Sequence, residues 1–301
     1  MKLKRKSGLA NTTKLFYLFI SPWLIGFCAF TLLPMLFSLV TSFTNWNGTN
    51  TPSFIGLQNY ASIFTADRMF QTSLKNTFYY VALSVPLNML LSIVLAMLLN
   101  KRLRGSNFFR AVFYLPTICT GVASYITWLY MYNQNFGFIN ILLSMIGIQG
   151  PGWLSDMNLS MISIVLMDMF VCGTSLTVVL ASLQDIPKMY YEAADLDGAG
   201  AFHKFIHVTF PMISPVVFFN LLMTLFKAVQ IFTQPYVMTE GGPANSTYVY
   251  GLHLYKSAFL YTKFGYASAL AWVLFVLLIV LSGVVFASSK FWVFYREEVD
   301  E

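Results

Sequence analysis

The chain carries the segment Tyr191-Glu192-Ala193-Ala194-Asp195-Leu196-Asp197-Gly198-Ala199, with Pro211 following twelve residues after the last alanine. This segment is polar, whereas the chain around it is strongly apolar: hydrophobic residues make up 57% of 301 residues, and charged residues only 10%. A soluble domain has about 25% charged residues. A short polar patch between long apolar stretches is typical of a loop between membrane-spanning helices, so the segment and its flanks predict a polytopic membrane protein.

Stretches without charged residues indicate where the chain crosses the membrane. They run over Leu15–Ala66, Asn76–Asn100, Ala111–Ser155 and Phe264–Ser289, and each exceeds the ~20 apolar residues that cross a bilayer core. We predict an all-α fold in one transmembrane domain over residues 1–301. Its six spanning helices lie near residues 15–43, 77–99, 110–131, 158–182, 207–232 and 266–288.

The positions of lysine and arginine predict the orientation of these six spans. If the N-terminus is cytoplasmic, thirteen of these cations fall inside and four outside, and Lys227 falls within a span. The inner set is Lys2, Lys4, Arg5, Lys6, Lys14, Lys101, Arg102, Arg104, Arg110, Lys188, Lys204, Lys290 and Arg296, and the outer set is Arg68, Lys75, Lys256 and Lys263. This positive-inside bias predicts that both termini are cytoplasmic. The net charge of +6 then reflects topology and anionic lipid and predicts no nucleic-acid partner.

The loop at residues 183–210 is the predicted cytoplasmic loop with room for its own fold. Asp185, two residues before a proline, is the predicted N-cap of a helix that runs to about Leu196. Gly198 and Gly200 break this helix, and Gly198 permits a tight turn with a positive φ because it has no Cβ. A second helix begins near Phe202. The sequence therefore predicts a helix–turn–helix lying on the membrane surface.

The chemistry of this loop suits a docking surface. Ala193 and Ala194 are small enough for close approach by another protein's backbone. Glu192, Asp195 and Asp197 offer carboxylates to a basic groove. Composition alone favours a solvated connector between two spans, so the residues leave both interpretations open.

The spacing of these residues resembles a known pattern of Glu-Ala-Ala, two residues, Asp-Gly-Ala and a later Leu-Pro, which Phe210-Pro211 replaces here. The pattern is similar to the coupling loop of the maltose-type (carbohydrate) permease family, the inner-membrane components of binding-protein-dependent ABC importers of bacteria. Further matches extend the resemblance over nearly the whole chain: Ser21-Pro22, residues 54–60, Leu115-Pro116, residues 137–140, residues 241–243 and residues 265–267.

The resemblance implies one permease half of an oligosaccharide importer in the cytoplasmic membrane. It implies a second homologous permease subunit in a heterodimer, two ATPase subunits and an external solute-binding protein as partners. It assigns ATPase coupling to Glu192, Ala193, Ala194, Asp197, Gly198, Ala199 and Pro211. ATP and Mg would bind to the partner subunits and no cofactor to this chain, which has no Gly-Lys dipeptide and therefore no P-loop. We predict that the chain is not an enzyme.

Histidine and cysteine residues do not predict a metal site. His203 and His207 are four residues apart, but a zinc site needs three or four ligands, and no further ligand lies nearby in the sequence. We interpret them as surface histidines. Cys28, Cys119 and Cys172 are scattered through apolar spans and are interpreted as small hydrophobic residues.

Two charged residues, Asp168 and Lys227, fall within predicted spans. A charge at the bilayer centre costs ~2.5–3.5 kcal/mol on insertion scales, so such residues normally face a partner or a wet cavity. One interpretation is a structural ion pair between them. The other is a substrate pathway, which they line together with Thr174, Asn220, Gln230 and Gln234.

The substrate remains open at this point. Members of the resembling family often carry aromatic or amide residues at these two charged positions, and Lys227 could instead bind the carboxylate of a uronic acid. The alternative substrate is a non-sugar solute such as glycerol phosphate. A secondary transporter or channel is the alternative class, which the coupling loop argues against because an ion-driven carrier needs no such docking loop.

Overall fold

The computed structural model of the protein describes residues 7–101, 105–118 and 121–294. Several residues of the predictions therefore lie outside the described part: Lys2, Lys4, Arg5, Lys6, the side chain of Lys14, Arg102, Arg104, Cys119 and Arg296. Over the described ranges the secondary structure is helical, and the β pairing is limited to one isolated bridge between Thr44 and Phe54. The predicted all-α fold is confirmed.

Four helices are long and apolar enough to cross a membrane, namely Leu15–Ser42, Arg68–Asn100, Ala201–Val229 and Phe264–Ser289. Two pairs of shorter helices would each add one span if they were counted across a bend. These pairs are Phe108–Ile118 with Val122–Met131, and Ser160–Met169 with Gly173–Gln184. The described part thus contains four candidate spans, or six when each bent pair counts as one.

The predicted spans at 110–131 and 158–182 are therefore not single helices. Gly121 has φ +91° at the start of the helix after the first break, outside the range of helical backbone. The second pair bends by 43°, where the amides of Phe170 and Val171 bond to carbonyls only three residues back. A Cβ at Gly173 would lie 2.5 Å from the Phe113 carbonyl oxygen. This glycine therefore permits the helix that it begins to approach the helix that contains Phe113.

The described chain divides into two compact units. The first comprises Met1–Ala66 and Leu254–Leu274. It contains α1 (Ser7–Phe27), a π-helical segment (Cys28–Leu32), α2 (Leu33–Ser42), α3 (Gln58–Thr65) and a π-helical segment at Lys256–Leu260. Asn59 of α3 donates hydrogen bonds to the carbonyl oxygens of Ser42 (2.8 Å) and Thr44 (2.9 Å), which ties α3 to the end of α2.

The second unit comprises Asp67–His253 and Phe275–Glu301. Its helices are α4 (Arg68–Asn100), α5 (Ser106–Ile118), α6 (Val122–Met131), α7 (Phe138–Met145), α8 (Ser160–Met169), α9 (Gly173–Gln184), α10 (Lys188–Leu196), α11 (Ala201–Lys204), α12 (Phe210–Val229) and α13 (Thr233–Thr239). Two helices, α14 (Tyr250–Tyr255) and α15 (Phe264–Ser289), continue from one unit into the other.

Helix α4 is the central element of the second unit and packs against α8, α9 and α12. It begins nine residues before the predicted span because the Asp67 side chain accepts a hydrogen bond from the Phe70 amide (2.9 Å) and so caps the helix. Small residues such as Ser73, Ser92 and Ala96 are completely buried along it. Such residues let helices approach closely in membrane proteins.

The fifth span differs from its prediction at its N-terminal end. Helix α11, a π-helical segment at Phe205–Thr209 and α12 form one continuous helix, Ala201–Val229. Pro211 lies in the first turn of α12, where its missing amide removes an intrahelical bond. The preceding Phe210 amide bonds to the Phe205 carbonyl in the π pattern. The second helix of the loop and the fifth span are therefore one element.

Candidate functional site

A cavity of about 250 Å³ lies within the second unit, where α4, α5, α8, α9, α12 and α13 meet. Its lining is rich in polar side chains, although the surrounding helices are apolar. The polar lining residues are Tyr80, Ser84, Asn88, Thr117, Asp168, Thr174, Ser175, Thr224, Lys227 and Gln234. Four of the six residues predicted for the substrate pathway are thus brought together: Asp168, Thr174, Lys227 and Gln234.

The Asp168 carboxylate is held by two side chains from other helices. The Tyr80 hydroxyl donates a hydrogen bond to Asp168 Oδ2, and Gln234 Nε2 donates to Oδ1 at 3.4 Å. Tyr80 is itself buried. These bonds fix the orientation of the carboxylate at the cavity wall and compensate part of the cost of placing a charge there.

Lys227 lines the same cavity and is exposed. Within the described ranges Lys204 forms an ion pair with Asp195, and His253 contacts Asp67, which becomes an ion pair only when the imidazole is protonated. The geometry therefore does not contain the Asp168–Lys227 ion pair that one interpretation expected. The carboxylate instead takes its hydrogen bonds from Tyr80 and Gln234. The Lys227 ammonium group is therefore available to a ligand in the cavity.

Two polar atoms of the cavity lining are buried without a partner in the described part of the chain: Ser84 Oγ and Asn88 Oδ1. A buried polar group without a hydrogen bond is costly, so a ligand hydroxyl that reached these atoms would be favoured. Sequence reasoning missed Tyr80, Ser84 and Asn88. Their spacing of four residues along an otherwise apolar helix is the signal that could have found them, because it places them on one helix face.

The other two predicted pathway residues lie elsewhere. Asn220 is 5% exposed, its Nδ2 has no partner among the described residues, and it does not line the cavity. Gln230 is exposed just after the end of α12 and is likewise absent from the lining. The six residues are therefore not one cluster.

The predicted coupling loop folds as a helix, a tight turn and a second helix. Gly198 has φ +72°, its amide bonds to the Asp195 carbonyl (3.1 Å), and the Ala199 amide bonds to the Ala194 carbonyl (2.9 Å). This pair of bonds is the Schellman motif, which ends a helix with glycine in the left-handed conformation. The predicted positive φ at Gly198 is confirmed.

Two side-chain contacts connect the helices of this loop. Asp195 forms an ion pair with Lys204, and the hydroxyls of Tyr191 and Thr209 are 3.0 Å apart. Asp195 is thus engaged within the loop, whereas Glu192 and Asp197 are exposed and make no described ion pair. Ala193 is exposed, and Ala194 and Ala199 are half-buried.

The helix cap predicted at Asp185 is wrong. Asp185 is the C-cap residue of α9, and α10 starts after Pro187 without a side-chain cap bond. The surface of the loop is partly apolar, since Leu196 is 90% and Phe202 is 72% exposed. The exposed His203 and His207 rings stack with their centroids 5.3 Å apart, and no group of three or more His, Cys, Asp or Glu residues in the described ranges is placed to hold a metal ion.

Comparisons with known proteins identify the family of the chain. The family model described as "Binding-protein-dependent transport system inner membrane component" matches residues 76–291. "Probable ABC transporter permease protein YesP" of Bacillus subtilis is 39% identical over 98% of this chain and 94% of that protein. "Trehalose/maltose transport system permease protein MalF" of Thermococcus litoralis is 34% identical over 88% of this chain and 90% of that protein.

Two further proteins extend these comparisons. "Lactose transport system permease protein LacF" of Rhizobium radiobacter is 32% identical over 91% of this chain and 93% of that protein. A chain of the solved bacterial alginate ABC transporter, in complex with an alginate pentasaccharide-bound periplasmic protein, has a TM-score of 0.84 and 21% identity, over 95% of this chain and 98% of that chain. The similarity to this chain of the alginate transporter shows the fold alone.

Proposed function

This chain belongs to the family of binding-protein-dependent transport system inner membrane components, and we propose that it forms one half of the membrane pathway of an oligosaccharide importer. It is an ABC transporter permease. The observation that carries the proposed substrate class is the polar cavity, whose unpartnered Ser84 and Asn88 oxygens suit the many hydroxyl groups of a sugar. The names of the lactose and trehalose/maltose relatives support the same class.

An acidic saccharide is the substrate that Lys227 favours. Its ammonium group lines the cavity without an ion pair in the described part, and a uronic acid carboxylate would satisfy it. The negative charge of Asp168 would repel a carboxylate of the substrate. The acidic unit would therefore bind at the Lys227 side of the cavity and neutral hydroxyls at the Asp168 side. A phosphate ester such as glycerol phosphate is the second candidate, supported by the same unpaired cation.

We place the predicted coupling loop on the cytoplasmic side of the membrane, together with the N- and C-termini. This orientation assumes six spans. There it would contact one of two ATPase subunits, which supply ATP hydrolysis and bind Mg. Its exposed Glu192 and Asp197 carboxylates and its apolar Leu196 and Phe202 side chains fit a partner groove with basic and apolar parts. A second homologous permease would complete the pathway as a heterodimer, and an external solute-binding protein would deliver the sugar.

Single-cysteine labelling tests the orientation. In a variant without Cys28, Cys119 and Cys172, a cysteine at Asn50 or the exposed Ala244 should react with a membrane-impermeant reagent in intact cells. A cysteine at the exposed Lys101 or Glu192 should react only after permeabilisation. The reverse pattern at any of the four positions would contradict the six-span arrangement.

Uptake by the complete transporter tests the substrate and the cavity together. Asn88→Leu removes an unpartnered oxygen from the cavity and should reduce saccharide uptake, because one lost hydrogen bond to a bound ligand costs about 0.5–1.5 kcal/mol. Asn100→Leu makes the same change at an exposed position on α4 outside the cavity lining and should leave uptake unchanged. Competition with neutral sugars, uronic acid oligosaccharides and glycerol phosphate identifies the class. Full uptake by Asn88→Leu, or competition by glycerol phosphate alone, would reject the sugar assignment.

A further inference from the structure

A second cavity, of about 400 Å³, lies between α5 and α9. One part of its lining is apolar, formed by Ala111, Leu176, Leu180 and Ala181, and the other part consists of Arg110, Tyr114, Thr177 and Gln184. None of these residues lines the cavity that contains Asp168 and Lys227. The second cavity is therefore a separate site with an amphipathic lining.

The Arg110 guanidinium at this cavity is only partly satisfied by the protein. Its Nη2 donates a hydrogen bond to the Leu99 carbonyl oxygen at 3.2 Å, whereas the buried Nε has no partner in the described ranges. A guanidinium always carries a positive charge and has five N–H donors. A buried donor without an acceptor is costly, and more so in a membrane, where water is scarce. The site therefore favours a ligand with several acceptor oxygens and a negative charge.

The position of Arg110 indicates the source of that ligand. Arg110 bonds to Leu99 at the end of α4, and Gln184 ends α9, so these two residues of the polar part lie near the helix ends that we place on the cytoplasmic side. The exposed lysines Lys101 and Lys188 follow these two helix ends. The carboxylate of Asp185 adjoins Gln184 but is not part of the cavity lining. Cationic pockets between spans on this side of a membrane are typical sites for anionic lipid headgroups.

The apolar part of the cavity suits the rest of a lipid molecule. Beside it, α5 exposes Phe108 (68%), Phe109 (50%) and Val112 (45%), and these side chains can contact acyl chains. A free phosphate ion would use the guanidinium but would leave the apolar wall uncovered. We propose that the Arg110 cavity binds the phosphate group of an anionic phospholipid, with an acyl chain against Ala111, Leu176 and Leu180.

The experiment uses the complete transporter purified in detergent. Native mass spectrometry measures retained phospholipid, and thermal melting is recorded with added phosphatidylglycerol, phosphatidylcholine or inorganic phosphate. Wild type should retain phosphatidylglycerol and melt at a higher temperature in its presence. Arg110→Gln should bind phosphatidylglycerol roughly fivefold more weakly or worse, because one cation near an anionic headgroup contributes on that order.

Two further variants keep the test decisive. Lys75→Gln removes the same charge from an exposed position near the other end of α4, outside the cavity, and should retain the lipid. Ala181→Phe keeps Arg110 but fills part of the cavity and should lose the lipid, which gives a second measurement if Arg110→Gln fails to fold. Undiminished lipid retention in Arg110→Gln or Ala181→Phe overturns the proposal. Equal stabilisation by phosphatidylcholine, or by inorganic phosphate without lipid, overturns it as well. None of these outcomes depends on which substrate is transported.

Discussion

The hydroxyl of Tyr80 on α4 donates a hydrogen bond to the carboxylate of Asp168 on α8, and the two residues thereby join two helices at the wall of the polar cavity. The Tyr80 side chain brings a donor to a charged group that would otherwise keep only the longer contact to Gln234. The bond fixes both the shape of the cavity and the direction in which the carboxylate presents its oxygens.

Replacing Tyr80 with phenylalanine should destabilise the protein. Tyr80→Phe removes a hydrogen bond to a charged group, which typically contributes about 1.5–3 kcal/mol. The melting temperature of the purified complex should fall, and saccharide uptake should fall with it. Tyr79→Phe removes a hydroxyl from a neighbouring residue that is 46% exposed, and its melting curve should match wild type. Equal melting of the two variants would mean that the Tyr80–Asp168 bond does not stabilise the fold.

Asp168 and Lys227 should act independently on stability, because they form no ion pair in the described structure. The effects of Asp168→Asn and Lys227→Met on the free energy of unfolding should add in the double variant to within the roughly 0.5–3 kcal/mol by which residues of one cavity couple. A larger rescue in the double variant would reveal a structural pair.

The two charges should differ in their effect on transport. Lys227→Met should weaken uptake of an acidic oligosaccharide more than uptake of a neutral one, and Lys227→Arg should preserve the uptake of both. An equal loss of uptake for both sugar types in Lys227→Met would contradict the proposed carboxylate contact.

Gly198 should be sensitive to substitution and Gly200 tolerant, although a Cβ at either position would meet no other atom within 4 Å. Gly198 has φ +72°, and Gly200 has φ −68°, so only Gly198→Val forces a β-branched residue into the left-handed region. That conformation costs an L-residue roughly 1–2 kcal/mol. Gly198→Val should lower uptake per ATP hydrolysed while the binding protein still captures sugar.

Two further variants complete the test of the loop. Gly200→Val should couple transport normally. Glu192→Lys, which reverses an exposed charge of the loop, should uncouple transport in the same way as Gly198→Val. Normal coupling in both Gly198→Val and Glu192→Lys would refute a role of this loop in energy transfer.

His253 should make the stability of the protein depend on pH. Burial lowers the pKa of its imidazole from the ordinary value, while Asp67, 2.9 Å from Nε2, acts in the opposite direction. Because the pKa in the folded protein is below the unfolded value of about 6.5, the unfolded chain binds more protons between the two values. The contribution of His253 to stability is therefore complete above about pH 6.5 and is lost as the pH falls toward the lower, folded pKa.

A variant isolates this effect. His253→Asn should lower the melting temperature at neutral pH, since contacts to Asp67 and Tyr248 are lost, but the further decline on acidification should be flatter than in wild type. His207→Asn changes an exposed histidine and should retain the wild-type decline. A wild-type slope in His253→Asn would exclude this residue as the source.

Local patterns in the sequence predicted the helical class and the left-handed Gly198, because each depends on neighbouring residues. Features set by distant contacts could not be predicted in this way. The sequence offered Asp185 as an N-cap, but the end of α9 includes that residue, and Asp67 caps α4 instead. The hydrogen-bond partners of Asp168 come from α4 and α13, at large separation along the chain. The sequence alone could not identify them, so Lys227 was considered as the partner instead.

The continuity of residues 201–229 connects the proposed coupling loop to the polar cavity through one helix. At a rise of about 1.5 Å per residue, this helix is a rod roughly 43 Å long. It starts beside the Schellman turn and carries Lys227 near its far end. A tilt of about 10° imposed at one end of such a rod would sweep the other by roughly 7 Å, a distance that follows from the same rise. The π-helical turn at Phe205–Thr209 interrupts the regular hydrogen bonding close to the loop. We therefore expect any bending of this helix to occur there, and the residues beyond the turn to move together with Lys227.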